Sequence, residues 1–348
     1  MRRFAVIATT VAGLWVGVPL HAADNLVLAR FGDYLESLRA QTGIPGLAAV
    51  IVGSADIAWE RAFGWQDVDR LERTRTDTPF HLDGLTQTLT ATLVLRCMDQ
   101  GRLSVNDRVG HFDPSSPDGD ATLRQILTHT SDGPVFSYRL QRLGSLAAVV
   151  EACEGVSFRT VMSRMLERFA MNDSVPGPDA ARLTPPADGI GQTTIERYQA
   201  LLPRLAVPYA VDRGRPSQSQ YSATTVKPAS GLISTVRDYA RFDVALRTGA
   251  VLSANMLALA WTAPTAPDGR LLPHGMGWFV QNYNGEKVVW QFGQGDNASS
   301  SLVVVVPARS LTLVLLANSD GLSKSLGLAD GDLTRSPFGK LFLELFVR

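Results

Sequence analysis

Strand-forming runs lie at the two ends of this chain and helical patterns lie between them. Few folds accept that order. GLAAVIVG (46–53) and IAWERAFG (57–64) flank Ser54, Ala55 and Asp56, the pattern of a β-hairpin. Far downstream, KVVWQFG, SSLVVVVP and LTLVLLAN are β-branched or apolar runs bounded by Gly, Pro or Asn. The economical fold is α+β: a mainly antiparallel sheet assembled from both ends, flanked by terminal helices, with a mainly helical domain inserted. The expected units are a sheet domain over 24–79 plus 228–348 and a helical insert over 80–227.

Helical spacing supports this arrangement. Leu28, Phe31, Leu35 and Leu38 predict an opening helix over 25–42 that stops at Gly43. Leu85, Leu89, Leu93 and Cys97 repeat every four residues until Gly101. Further helices are expected at 121–129, 143–154, 158–169, 235–248 and 336–347. The segment 172–230, rich in Pro and Gly, reads as mostly long loops. Cys97 and Cys153 either pair or serve singly as small hydrophobes on their helices; their spacing decides nothing.

The first residues, MRRFAVIATTVAGLWVGVPLHAADN, read as an export signal over 1–22 with a basic start and an apolar core from Phe4 to Leu20. An uncleaved anchor is the alternative, and Gly13, Gly17 and Pro19 argue for cleavage. The expectation is a periplasmic or secreted protein with no membrane span after cleavage. Lys plus Arg equals Asp plus Glu at 33 each, which argues against a nucleic-acid partner held by bulk charge. A small-molecule ligand, a cell-wall peptide or a protein partner stays open.

No metal or cofactor is expected. His81, His111, His129 and His274 show no ligand spacing and read as surface or structural residues. Gly293-Gln294-Gly295-Asp296-Asn297-Ala298 superficially matches a dinucleotide fingerprint, but a strand-like run follows it where a helix is required.

Several stretches together resemble the serine β-lactamase and penicillin-binding protein superfamily, in its class C and esterase-like branch. PFHLDGLTQTLTATLVLRCMDQGRLSVNDRV (79–109) is similar to that family's nucleophile helix. TLRQILTHTSDG (122–133) and PASGLISTVRDYARF (228–242) resemble two further family segments. HGMGWFV, VVWQFGQG and SSLVVVVPARSLTLVLLANSDGLS resemble its closing strands. The family's chemistry rests on Ser-x-x-Lys at the start of the helix, where the hydroxyl attacks a carbonyl and the amine manages its proton.

At the matching positions this chain carries Gly84 and Gln87. A glycine has no side chain, and a primary amide is no base. The family's Tyr-x-Asn becomes Tyr138-Arg139-Leu140, and its Lys/His-x-Gly becomes Gln291-Phe292-Gly293. By resemblance, the backbone N–H groups of Gly84 and Gln294 would form an oxyanion hole. The chain's lysines, Lys227, Lys287, Lys324 and Lys340, offer no displaced Ser-x-x-Lys. The resemblance therefore implies an exported, catalytically silent member of the superfamily acting as a binding or regulatory module. Two rivals stand beside it. One is a hydrolase using Tyr138, Thr86 or Ser131 in a non-standard arrangement; the other is a purely structural partner protein with a collapsed cleft.

Overall fold

The computed structural model describes residues 22–133, 135–184 and 189–347. The proposed export signal falls almost wholly on residues 1–21, outside the described residues. No helix among the described residues is long and apolar enough to cross a membrane. The first helix, α1 (Ala22–Thr42), leads into the hairpin β1 (Gly46–Gly53) and β2 (Asp56–Asp67), followed by the short β3 (Glu72–Arg73) and β4 (Phe80–His81). A 3₁₀ turn, Asp83–Leu85, runs into α2 (Thr86–Asp99). Next come α3 (Leu123–Leu127), α4 (Leu146–Glu154), α5 (Phe158–Arg168), β5 (Val175–Pro176), α6 (Gln192–Leu201), β6 (Tyr209–Asp212) and β7 (Arg215–Gln218). The chain returns through β8 (Leu232–Ser234), α7 (Val236–Arg247) and α8 (Ala254–Ala260) to β9 (Phe279–Tyr283), β10 (Glu286–Gly295), β11 (Ser299–Val306), β12 (Leu311–Ala317) and α9 (Pro337–Phe346).

The expected α+β architecture forms. A seven-stranded antiparallel sheet has the order β3-β2-β1-β12-β11-β10-β9. Its central seam pairs the two ends of the chain, from Leu47 against Ala317 to Gly53 against Leu311. Side chains alternate across a strand, so β11 presents Leu302, Val304 and Val306 to one face and Val303 and Val305 to the other. The first face packs with Phe31 and Leu35 of α1 and with Phe338 and Phe342 of α9. The second packs with α2 and α7 through Leu89, Tyr239 and Phe242. Both faces are covered, which is why β11 reads as a continuous apolar run. Each such buried side chain contributes about 1.5–3 kcal/mol.

Residues 86–95 of α2 are all buried. A helix enclosed on every side must satisfy its polar side chains internally. Thr88 donates to the Leu85 carbonyl and pairs with the Tyr239 hydroxyl at 2.9 Å, while Thr90 donates to the Pro228 carbonyl. Gly101, at φ +71°, closes the helix in the left-handed region.

Cys97 and Cys153 are bonded to each other, with Cα atoms 6.5 Å apart, and tie α2 to α4. Of the two readings of these residues, the structure selects the pair over the lone hydrophobes. The loop reading of 172–230 also needs correction. It contains α6, whose Ile195, Tyr198 and Leu201 pack with Val175 and Ile233, and the β6–β7 hairpin. The three-residue spacing of Ile195, Tyr198 and Leu201 was the available signal; the surrounding prolines obscured it. Helix α8, capped by the Ser253 side chain, was likewise unforeseen.

Candidate functional site

The positions singled out in the sequence come together where the Asp83–Leu85 turn meets β10. The turn packs so closely on the strand that a Cβ at Gly293 would lie 2.2 Å from the Leu82 carbonyl oxygen and 2.4 Å from the Ser301 hydroxyl. Backbone-to-strand packing therefore already demands a glycine at 293, independently of any ligand. Gly84 is tight for a different reason. A Cβ there would sit 3.0 Å from the Phe292 carbonyl oxygen and 3.1 Å from a methyl group of Leu140. Leu140, standing where the resemblance expects an asparagine, thus occupies the space over Gly84.

Gln87, the second residue of α2 and one turn beyond Gly84, is 1 % exposed; Gln291, on β10, is 0 % exposed. Tyr138 joins them. Its hydroxyl accepts from Gln87 Nε2 at 2.7 Å and donates to Gln291 Oε1 at 3.0 Å. Its ring is held by Phe279 and Phe292, with centroids 5.2 and 5.4 Å away. Gln87 Nε2 also donates to the Gly84 carbonyl, and Gln291 Oε1 also accepts from the Phe292 N–H.

Two histidines complete the arrangement; both are buried and hydrogen-bonded, in keeping with the structural reading, although their spacing in the sequence gave no sign that they converge. His129 and His274 converge with ring centroids 4.7 Å apart. The Arg139 N–H donates to His129 Nδ1 at 3.3 Å, so His129 Nε2 carries the proton and donates to Gln87 Oε1 at 3.2 Å. At the other end Gln291 Nε2 donates to His274 Nε2 at 3.1 Å, and His274 Nδ1 donates to the Gly275 carbonyl at 2.6 Å. The result is one directed chain: Arg139 N–H, His129, Gln87, Tyr138, Gln291, His274, Gly275 carbonyl. Such chains polarise and strengthen one another.

Burial fixes the protonation states. It holds the His129 imidazole down at about 3, and it holds His274 well below the ordinary histidine range. It pushes the Tyr138 phenol well above its usual value, with the Gln87 hydrogen bond opposing only in part. All three are neutral near pH 7, as the hydrogen-bond directions require.

Asp83 was not anticipated. It sits at φ +47° beside Gly84, buried, and accepts a hydrogen bond from the Ser299 hydroxyl. Burial, reinforced by Asp296, raises its carboxyl to about 7. A Cβ at Gly295 would fall 2.7 Å from Asp83 Oδ1. Its sequence context, LDGL, carried no signal beyond its nearness to position 84. Gln294 is exposed, with its amide bonded to Asp296. Lys287 donates to the Trp261 carbonyl and lies outside the chain of hydrogen bonds.

A family model described as Beta-lactamase matches residues 31–332. The chain belongs to the beta-lactamase family. This beta-lactamase-family chain superposes on the octameric penicillin-binding protein homologue from Pyrococcus abyssi with a TM-score of 0.72 and 19% identity, over 91% of this chain and 77% of that one. A class C beta-lactamase from Rhodobacter sphaeroides gives 0.65 and 17%, over 84% and 94%. At these identities the likeness is one of fold. Among curated proteins, Protein flp of Staphylococcus aureus is 28% identical over 97 residues, 26% of this chain and 20% of that protein. PbpX of Bacillus subtilis is 30% identical over 103 residues, 29% and 25% respectively. The matched segments thus span a quarter or less of those relatives.

Proposed function

We propose that this beta-lactamase-family protein is catalytically silent at the position of the family's site and acts, after export, as a binding or regulatory module. One observation carries the reading: both amides that stand for the family's cations are buried and bonded at each end into a closed chain through Tyr138. Both N–H groups of each amide are already donated, those of Gln87 to Tyr138 and the Gly84 carbonyl and those of Gln291 to His274 and the Gly277 carbonyl, so neither has a proton left for a substrate. Gln87 cannot take a proton near neutral pH, and the phenol proton of Tyr138 is held by Gln291.

The substitute nucleophiles fare no better. Thr86 is 0 % exposed, and its hydroxyl has neither a base nor any other hydrogen-bond partner. The Ser131 hydroxyl accepts from Arg142. A base that would activate either one is missing from its hydrogen-bond partners among the described residues. The rival hydrolase reading therefore lacks a nucleophile–base pair, although the unpartnered Thr86 hydroxyl is the feature that favours it.

The test is direct. The protein is incubated with a fluorophosphonate and with a labelled penicillin, then weighed intact. Unchanged mass is expected. A stoichiometric adduct mapped to Thr86, Ser131 or Tyr138 would overturn the proposal.

A further inference from the structure

The Cys97–Cys153 bond lies in a cluster of side chains that the closed chain through Tyr138 does not use. Cys97 stands on the last turn of α2 and Cys153 on the last turn of α4, with Glu154 next to it. The two sulfurs and a carboxylate oxygen of Glu154 all lie within 4.8 Å of one another, and Cys97 Sγ is 3.7 Å from Glu154 Oε1. Cys97 is enclosed, whereas Cys153 and Glu154 are half-buried and bring the cluster to the surface. The cysteines are 56 residues apart in sequence and show no ligand spacing, so only the packing of α2 on α4 assembles it.

Two arginines converge on the carboxylate. Arg96 and Arg102 donate to Glu154 Oε1 at 2.8 and 2.9 Å, and Arg102 also donates to the Cys153 carbonyl at 2.5 Å. These bonds orient the carboxylate as outer partners orient a metal ligand. Glu154 Oε2 accepts no hydrogen bond among the described residues and keeps its lone pairs. Gly155, at φ +71°, ends α4 immediately beyond Glu154. Carbonyls at a helix C-terminus favour cations, and Arg102 already places one against them.

Thiolates bind metals, so the cluster becomes a ligand set only when the disulfide opens. A dithiol supplies two electrons and two protons, leaving as its own disulfide, and the bond becomes two thiols. Each thiol loses its proton as a metal binds. One dication then replaces two protons, and the balance of two guanidiniums against one carboxylate keeps its single positive charge. A tetrahedral zinc ion, with bonds of about 2.3 Å to sulfur and about 2.0 Å to oxygen, sets sulfur and oxygen about 3.5 Å apart. The 3.7 Å between Cys97 Sγ and Glu154 Oε1 nearly matches that separation. We propose that the reduced protein binds one zinc ion through Cys97, Cys153 and Glu154, with water in the fourth position, and that the oxidised protein does not. Two soft thiolates select zinc over magnesium or calcium.

The experiment titrates the full chain, oxidised or reduced with a phosphine under anaerobic conditions, with cobalt(II) and then zinc. Tetrahedral cobalt thiolates show visible d–d bands and a sulfur-to-cobalt charge-transfer band. One equivalent of cobalt develops both in the reduced protein alone, zinc bleaches them, and zinc raises the Tm of the reduced protein. Cys153→Ser develops neither band. Glu154→Gln retains the disulfide when oxidised, and after reduction it binds cobalt at least about tenfold more weakly, as expected when a ligand is lost. Absence of the bands in reduced protein, equal bands in oxidised protein, or unchanged affinity in Glu154→Gln each overturns the proposal. So does reduced protein that unfolds and stays unfolded when zinc is added.

Discussion

Replacing Tyr138 with Phe separates a structural hydrogen-bond chain from a site kept for chemistry. The substitution leaves the ring and its contacts with Phe279 and Phe292 in place and removes only the hydroxyl. Two hydrogen bonds disappear, from Gln87 and to Gln291. Neither partner is fully orphaned, because Gln87 Nε2 keeps the Gly84 carbonyl and Gln291 Oε1 keeps the Phe292 N–H. The loss should therefore fall at the lower end of the range for buried hydrogen bonds, about 1–2 kcal/mol in total. With an unfolding entropy of about 2.1 cal/mol/K per residue, a chain of 348 residues would lose roughly 1–3 °C in Tm. Urea unfolding supplies the free energy and calorimetry the Tm. Removing a reactive group from a working site commonly leaves stability equal or raised, because such sites hold strained and underpaired polar groups. An unchanged or higher Tm for Tyr138→Phe would refute the closed-chain reasoning.

Gly84→Ser should cost about 1–3 kcal/mol, since the new Cβ meets the Phe292 carbonyl and Leu140. Trimming Leu140 to Ala should recover part of that cost in a double-mutant cycle followed by urea unfolding; strict additivity would place Leu140 elsewhere. Asp83 makes stability depend on pH. Its folded value, about 7, exceeds the unfolded 3.8, so the folded state binds the extra proton and stability falls as pH rises from about 4 to about 7. Asp83→Asn should remove that downward component, read as the wild-type minus variant unfolding free energy across that window; a flat difference would show that the carboxyl is not protonated in the fold. Reducing the Cys97–Cys153 bond, which spans 56 residues, should lower stability by about 2–4 kcal/mol in denaturant titrations with and without reductant.

The alternation and four-residue repeats of the sequence were enough for the architecture, because periodicity reports directly which face of an element is buried. They placed the hairpin 46–64, the helix from Leu85 and the three closing strands. They were silent on α6, whose pattern is short and crowded by breakers. At the site, the replacement of a nucleophile and two cations by Gly84, Gln87 and Gln291 was legible residue by residue. What became of the space they left was not. That Leu140 fills it, that His129 and His274 arrive from segments 145 residues apart in number, and that burial raises the Asp83 carboxyl beside Gly84 depend on where distant segments meet. Hydrogen-bond direction, burial and proton affinity are properties of an enclosure, and a chain encloses nothing until its two ends have closed the sheet.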